Sequence, residues 1–285
     1  MRQNLRVPRK VKDNVLKVVF ALVLILILGF ILLPIYWCLV TSFKPSTEIT
    51  SKVVTYWPKE FTFDNYVQAW TKSGFAIYFR NSLLVAVLGT TGIVIISLLT
   101  GYALSRFKFK GKAGFLLVLL CTQFIPGAMM ITPTFIIFKN LHLLNNLFAL
   151  VLINITFQFP FNSILMRGFI GGIDYTIEEA AQIDGCNRIS GIVKILLPIL
   201  RPGIATIAAY GFISCWNEFL FGFMFISKKD LLTLPIGLKS LVGEFSINYG
   251  QLAAGAIIAV VPTLILFSYA QKNLVGGLSA GAVKG

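Results

Sequence analysis

The chain has 285 residues, 56% of them hydrophobic and 13% charged, with a formal net charge of +14 and a mean hydropathy of +0.82. A soluble domain carries about a quarter of its residues as Asp, Glu, Lys or Arg, so this chain cannot cover itself with charge and much of its surface faces lipid. The basic excess does not indicate nucleic acid, because Lys and Arg lie between long apolar runs and not on one solvated face.

Segment 1–14 is basic, and the apolar run beyond it is too long for a signal peptide and lacks a convincing cleavage site. That run is read as a retained first span. At about 20 residues per bilayer crossing, apolar stretches predict six spans, near 15–40, 82–104, 115–138, 147–166, 204–226 and 252–270. Pro126 and Pro133 interrupt the third, Pro160 lies in the fourth and Pro262 in the sixth. Proline in a span is tolerated where neighbouring helices or water satisfy the freed carbonyls, so a packed bundle of bent helices is expected. The predicted fold is an all-α polytopic membrane bundle. It comprises the basic segment 1–14, a six-helix domain 15–270 and a tail 271–285.

Basic residues orient it. With the N-terminus inside, cytoplasmic segments hold 16 of the 25 Lys and Arg and outer loops hold 9. The bias is sharpest between Arg106 and Lys112, where no acid dilutes it. Both ends are expected in the cytoplasm, at the cell membrane.

The outer loop 43–78 is too long for a turn. It predicts a short helix over 64–71, with Asp64 as its cap and Tyr66, Val67 and Trp70 as an apolar patch. His142, the single histidine, falls in the next outer loop. Alone it forms neither a catalytic dyad nor a metal cluster.

Segment 174–202, DYTIEEAAQIDGCNRISGIVKILLPILRP, differs from its surroundings. Thr176 and Glu179 have the spacing of a capping box, so a helix is expected to start there. Ile177, Ala180, Ala181 and Ile183 form its apolar face. Asp184-Gly185 ends it, glycine taking the positive φ required. Asn187 is positioned to cap a second helix through Lys194 to about 197, and Pro198 disturbs its continuation. The pattern is a helix, a sharp turn and a helix on the cytoplasmic side. Such a loop either lies on the membrane or is presented to a partner.

Glu218 is the one ionisable residue well inside a predicted span, about 22 Å along it from Gly203 at 1.5 Å per residue. An intramembrane carboxylate marks a functional site by default. Three roles are open: hydrogen bonding to sugar hydroxyls, bracing its helix, or carrying a proton. Trp216 and Asn217 beside it suit carbohydrate. Beyond it, loop 227–249 carries Thr233-Leu234-Pro235-Ile236-Gly237. The last span holds Gly250, Ala254, Gly255, Ala256 and Ala259, small residues that let helix backbones approach closely, within the subunit or against a second one.

The chain has no G-x-x-x-x-G-K-[ST] phosphate loop. Cys38, Cys121, Cys186 and Cys215 are widely separated, mostly in apolar runs, and read as small hydrophobes. No enzymatic chemistry is expected, and no bound cofactor or metal.

Several segments resemble a known family. Glu179-Ala180-Ala181, Asp184-Gly185 and then Leu197-Pro198 match in type and spacing the EAA loop of ATP-binding-cassette importer permeases. Asn81-Ser82, the run from Tyr102 to Phe107, Trp216-Asn217-Glu218-Phe219, Thr233 to Leu238 and Gly281-Ala282-Val283-Lys284-Gly285 extend the match over nearly the whole chain. Together they are similar to the second permease subunit of maltose-type carbohydrate importers, which implies the type I importer permease fold. Cys186 and Asn187 depart from the usual Ala and small polar residue.

The resemblance implies that Glu178, Glu179, Ala180, Ala181, Asp184, Gly185 and Pro198 couple to two ATPase subunits, which use ATP and Mg. It implies that Thr233 to Gly237 reach an extracytoplasmic sugar-binding protein. The tail with Gly281, Ala282, Val283 and Lys284 is expected to touch the ATPases. Trp216, Asn217 and Glu218 are candidates for the substrate pathway, and a related second permease completes it. The alternative is an ion-gradient-driven secondary transporter. That class calls for more intramembrane carboxylates and an inverted repeat, neither of which the sequence displays.

Overall fold

A computed structural model describes residues 9–243 and 247–282; of residues 9–13, 15 and 272–282 it gives only the helical path. Helix α1 (Arg9–Ser42) leads into a segment carrying α2 (Ser46–Ile49) and α3 (Asp64–Thr71), followed by α4 (Phe75–Arg106). Next come α5 (Lys112–Cys121), two tight turns, α6 (Ile131–Asn140) and α7 (Leu147–Gly171). The distinctive loop holds α8 (Thr176–Ile183), α9 (Arg188–Gly191), a π turn (Ile192–Leu196) and α10 (Leu197–Ile199). Helices α11 (Arg201–Trp216), α12 (Leu220–Phe225), α13 (Leu234–Ser240) and α14 (Tyr249–Ala282) complete the chain. No strand occurs among the described residues.

Four helices are long and apolar enough to cross a membrane, and two bent pairs raise the number to six. Phe20, Leu26, Phe30 and Leu33 of α1 are exposed around its circumference. A helix apolar on every side faces lipid or another subunit. The core lies where α4 packs on α7 and α11. Val85, Ile93, Leu150, Met166, Ile207 and Trp216 are buried there.

Two predicted spans need correction. The third bends by 95° between 112–124 and 127–140, because Pro126 is extended (ψ 128°) and stops the first limb. The fifth does not run unbroken to residue 226: α11 ends at Trp216, and α12 starts three residues after Asn217 breaks the helix. A further 77° bend at Leu200 separates α11 from the limb 188–199.

Helix α3 has the predicted bounds but a different cap, and most of its apolar patch lies on the exposed side. The Asp64 side chain caps nothing; its N–H donates to Thr62 Oγ1 at 3.1 Å. Asn65 and Ala69 are buried, whereas Val67 and Trp70 are exposed. Asn65 Nδ2 donates to the carbonyls of Ser42 and Lys44 at 2.9 and 2.8 Å, tying α3 to the end of α1. The small residues of α14 serve this packing too: Ala254 and Gly255 are buried, and a Cβ on Gly255 would lie 2.5 Å from the Phe75 ring. The segments bearing α3 and α13 thus gather at the Phe75 end of α4, and the α8 loop at its Arg106 end.

Candidate functional site

The loop after α7 is built from local hydrogen bonds. The expected capping box does not form: Thr176 is already the first helical residue, and the Glu179 side chain is exposed. Asp174 Oδ1 accepts the Thr176 N–H at 3.0 Å. This hydrogen bond holds the Asp174 carboxyl below its ordinary pKa. Gly185 has φ +86° and follows Asp184 as expected. The turn closes with Cys186 N donating to Ala181 O at 2.9 Å, a helix-terminating motif that uses left-handed glycine. Asn187 Oδ1 accepts Ser190 N–H at 2.8 Å and caps the return limb. That limb passes into the π turn at 192–196 before Pro198, which lacks the N–H that the Lys194 carbonyl would take in an α-helix.

The face that α8 buries is the Glu178 and Ala181 face. Arg106 Nε donates to Glu178 Oε1 at 2.6 Å, and Tyr102 Oη donates to Oε2 at 2.9 Å. Arg106 Nη2 also reaches Ile173 O at 3.1 Å. Both charged side chains are over nine-tenths buried, and a buried pair is sustained only when such additional bonds satisfy it. Ile177, Ala180 and Ile183 look outward, Ile183 at 86% exposure, and Ile189 and Val193 of the return limb are exposed as well. Exposed apolar patches rimmed by polar residues mark contact with a protein partner or with the membrane.

A second site lies at the break between α11 and α12. Glu218 Oε1 accepts the Phe221 N–H at 2.6 Å, and Oε2 accepts that of Gly222 at 3.0 Å. The carboxylate therefore caps α12, satisfying donors orphaned at a helix start. Asn217 is exposed beside it. Both line a cleft of about 360 Å³ together with Asn154, Gln158 and Ser214. Trp216 does not join them. It is 2% exposed, donates from Nε1 to Ala259 O at 3.0 Å, and stacks on Phe212 with ring centroids 5.7 Å apart. It anchors α11 to α14, and its face is unavailable to a ligand. Asn154 and Gln158 were not among the expected site residues. Their signal was present, amides at i and i+4 on one face of a helix that carries a third, Asn162, at i+8.

At the end of the bundle away from the α8 loop, segment 233–237 is packed inward and does not project. Thr233, Leu234, Ile236 and Gly237 are buried, and Pro235 is half-buried. Leu234 N donates to Ser82 Oγ at 2.7 Å, while Asn81 Nδ2 donates to the carbonyls of Asp230 and Leu232 at 2.9 and 3.0 Å. What this segment offers to the outside is its Lys239-Ser240 end, which is exposed. Of the tail, α14 carries Gly281 and Ala282 on its helical path, and Val283 and Lys284 lie outside the described residues.

The structure is a multi-pass helical bundle with a loop bearing an exposed apolar patch at one end and helix-bearing loops at the other. The chain belongs to the family of binding-protein-dependent transport system inner membrane components, whose model matches residues 93–278. It is 34% identical to the diacetylchitobiose uptake system permease protein DasC of Streptomyces coelicolor, over 92% of this chain and 94% of that one. It is 30% identical to the galactooligosaccharides transport system permease protein GanQ of Bacillus subtilis, over 95% and 96%. Among solved structures, a chain of a bacterial ABC transporter involved in importing the acidic polysaccharide alginate superposes with a TM-score of 0.83 at 24% identity. The match covers 93% of this chain and 98% of that one, a likeness of fold.

Proposed function

We propose that this chain is one permease half of an ATP-driven carbohydrate importer. Two ATPase subunits, which bind and hydrolyse ATP with Mg, dock on its α8 loop. The observation that carries this reading is the outward apolar row Ile177, Ala180 and Ile183 on α8, whose opposite face is held by Arg106 and Tyr102. The relatives named above for oligosaccharide uptake support carbohydrate as the substrate class.

The mechanism is alternating access. A sugar-loaded binding protein engages the end bearing α3 and α13, the ATPases close at the other end, and the paired bundles reorient around the sugar. The cleft bearing Asn154, Gln158, Asn217 and Glu218 offers amide and carboxylate groups to hydroxyls once a related second permease faces it. The α8 end and both termini lie in the cytoplasm, in keeping with the basic bias of segment 106–112. The C-terminal tail runs toward the ATPases.

Uptake into proteoliposomes tests the proposal. Transport should require the binding protein, the ATPases and ATP. Uptake by the permease alone under an ion gradient would overturn it. Binding of mono- and oligosaccharides to the cognate binding protein identifies the sugar.

A further inference from the structure

One helix touches both ends of the molecule by polar contacts. At its inner end α4 presents Tyr102 and Arg106 to Glu178 of α8. At its other end Asn81 and Ser82 hold Asp230, Leu232 and Leu234 of the segment leading into α13. Ser82 and Tyr102 are 20 positions apart, about 30 Å along a helix.

Helix α4 also differs from every other span in continuity. Helices α1, α7 and α14 each contain an internal proline. The third span is bent by 95°, and the limb feeding α11 by 77°. Helix α4 has no proline in its 32 residues. Kinks in long helices arise mainly at proline, Gly/Ser pairs or π-bulges; α4 runs as one α-helix through Gly89, Gly92 and Gly101, which pack closely against Cys215, Ile155 and Met166, so a displacement at one end is passed on to the other.

The inner clamp is well suited to carry that displacement. Arg106 to Glu178 is the one ion pair among the described residues, and it joins positions 72 apart in sequence. The same end is gripped from both sides of the turn: from the return limb the Arg188 guanidinium lies 4.9 Å from the Phe107 ring centroid, and Arg106 lies 5.5 Å from that of Tyr175, just ahead of α8. The loop cannot move as a body without pulling on the end of α4.

We propose that α4 is a coupling rod, clamped to α8 by Tyr102 and Arg106 on Glu178 and to the α13 segment by Asn81 and Ser82. Through it, binding-protein engagement at one face sets the position of the ATPase-docking helix at the other. These four are positioning residues, and the proposal rests on the coupling reading of α8 given above. Spatial continuity alone does not demonstrate coupling, so the test measures communication directly.

The complete complex is reconstituted, and ATP hydrolysis is measured with and without the purified cognate binding protein. The readout is the ratio of the two rates. Couplings between sites usually amount to ~5–150-fold. Glu178→Gln, which removes the charge and keeps the shape, should lower the ratio about tenfold. Tyr102→Phe and Ser82→Ala, at opposite ends, should each lower it by less while ATPase co-purification stays at the wild-type level. Independent defects this far apart would multiply. The rod predicts that Glu178→Gln with Ser82→Ala loses little more than Glu178→Gln alone.

A wild-type ratio in Tyr102→Phe or Ser82→Ala, or multiplying effects in the double variant, would overturn the rod. So would loss of ATPases in Tyr102→Phe, since the cluster would then merely hold the loop folded. If Glu178→Gln does not reach the membrane, Tyr102→Phe and Ser82→Ala decide. Ile183→Glu at the exposed tip of α8 separates the two readings. Retained ATPases there sink the docking reading itself; ATPases lost there, with normal ratios in the clamp variants, sink the rod alone.

Discussion

Gly237 and Tyr78 share a space that holds only one side chain: a Cβ on Gly237 would lie 2.2 Å from Tyr78 Cδ2 and 2.8 Å from Cε2. The Tyr78 ring fills the gap between α4 and α13, and glycine lets the α13 backbone close over it. Gly237→Ala should therefore destabilise the bundle by about 1–3 kcal/mol, the usual cost of overpacking. Tyr78→Ala should recover part of that loss when combined with it. Membrane abundance and thermal unfolding in detergent check this; unchanged stability in Gly237→Ala would show that α13 sits elsewhere.

Glu218 separates two roles by substitution. Its oxygens accept the N–H groups of Phe221 and Gly222. Glu218→Gln keeps one acceptor oxygen of similar reach. Glu218→Leu leaves both donors unpaired at about 1–3 kcal/mol each. Transport and abundance should fall far more in Glu218→Leu than in Glu218→Gln. Equal and complete loss of transport, with normal abundance in both, would assign an essential charge or proton in place of a cap.

Much of this architecture is legible in the sequence because spans announce themselves by apolar runs, and α8 by Thr176 and Asp184-Gly185 at its bounds. The break after Trp216 is not, since Asn217 and Glu218 fall inside a run, 204–226, whose length suits a single crossing. Trp216 reads as a sugar platform beside two polar residues, yet its indole N–H finds Ala259, 43 positions away. Arg106 reads as one of many orientation charges, because its partner lies 72 residues further on. Periodicity reports which face is apolar, but it carries no information on pairing between distant elements.

Orientation is testable at two positions on opposite faces. In a background lacking Cys38, Cys121, Cys186 and Cys215, an impermeant thiol reagent applied to intact cells should label a cysteine at Lys229 and spare one at Lys110. Cys215 is buried, so its replacement needs a small residue such as alanine. Labelling at position 110 with none at position 229 would invert the bundle and the functional assignment of both its ends.

The sharpest consequence falls on Gly185. Its φ of +86° lies in the left-handed region, and no neighbouring atom lies within 4 Å of where a Cβ would stand. Any penalty at this position is therefore conformational and not steric, about 1–2 kcal/mol for an ordinary L-residue and larger in practice for a β-branched one. Gly185→Asn should be tolerated best, because asparagine enters the left-handed region with least cost. Gly185→Val should open the turn that Cys186 N closes on Ala181 O and swing Ile183 away from its place. The defect lies outside the bilayer, so every span should still insert and membrane abundance should stay near wild type. ATPase co-purification and sugar uptake should fall steeply in Gly185→Val and only mildly in Gly185→Asn. Wild-type uptake in Gly185→Val would mean that the turn is not a constrained part of the docking surface, and would remove the main support for placing the ATPases there.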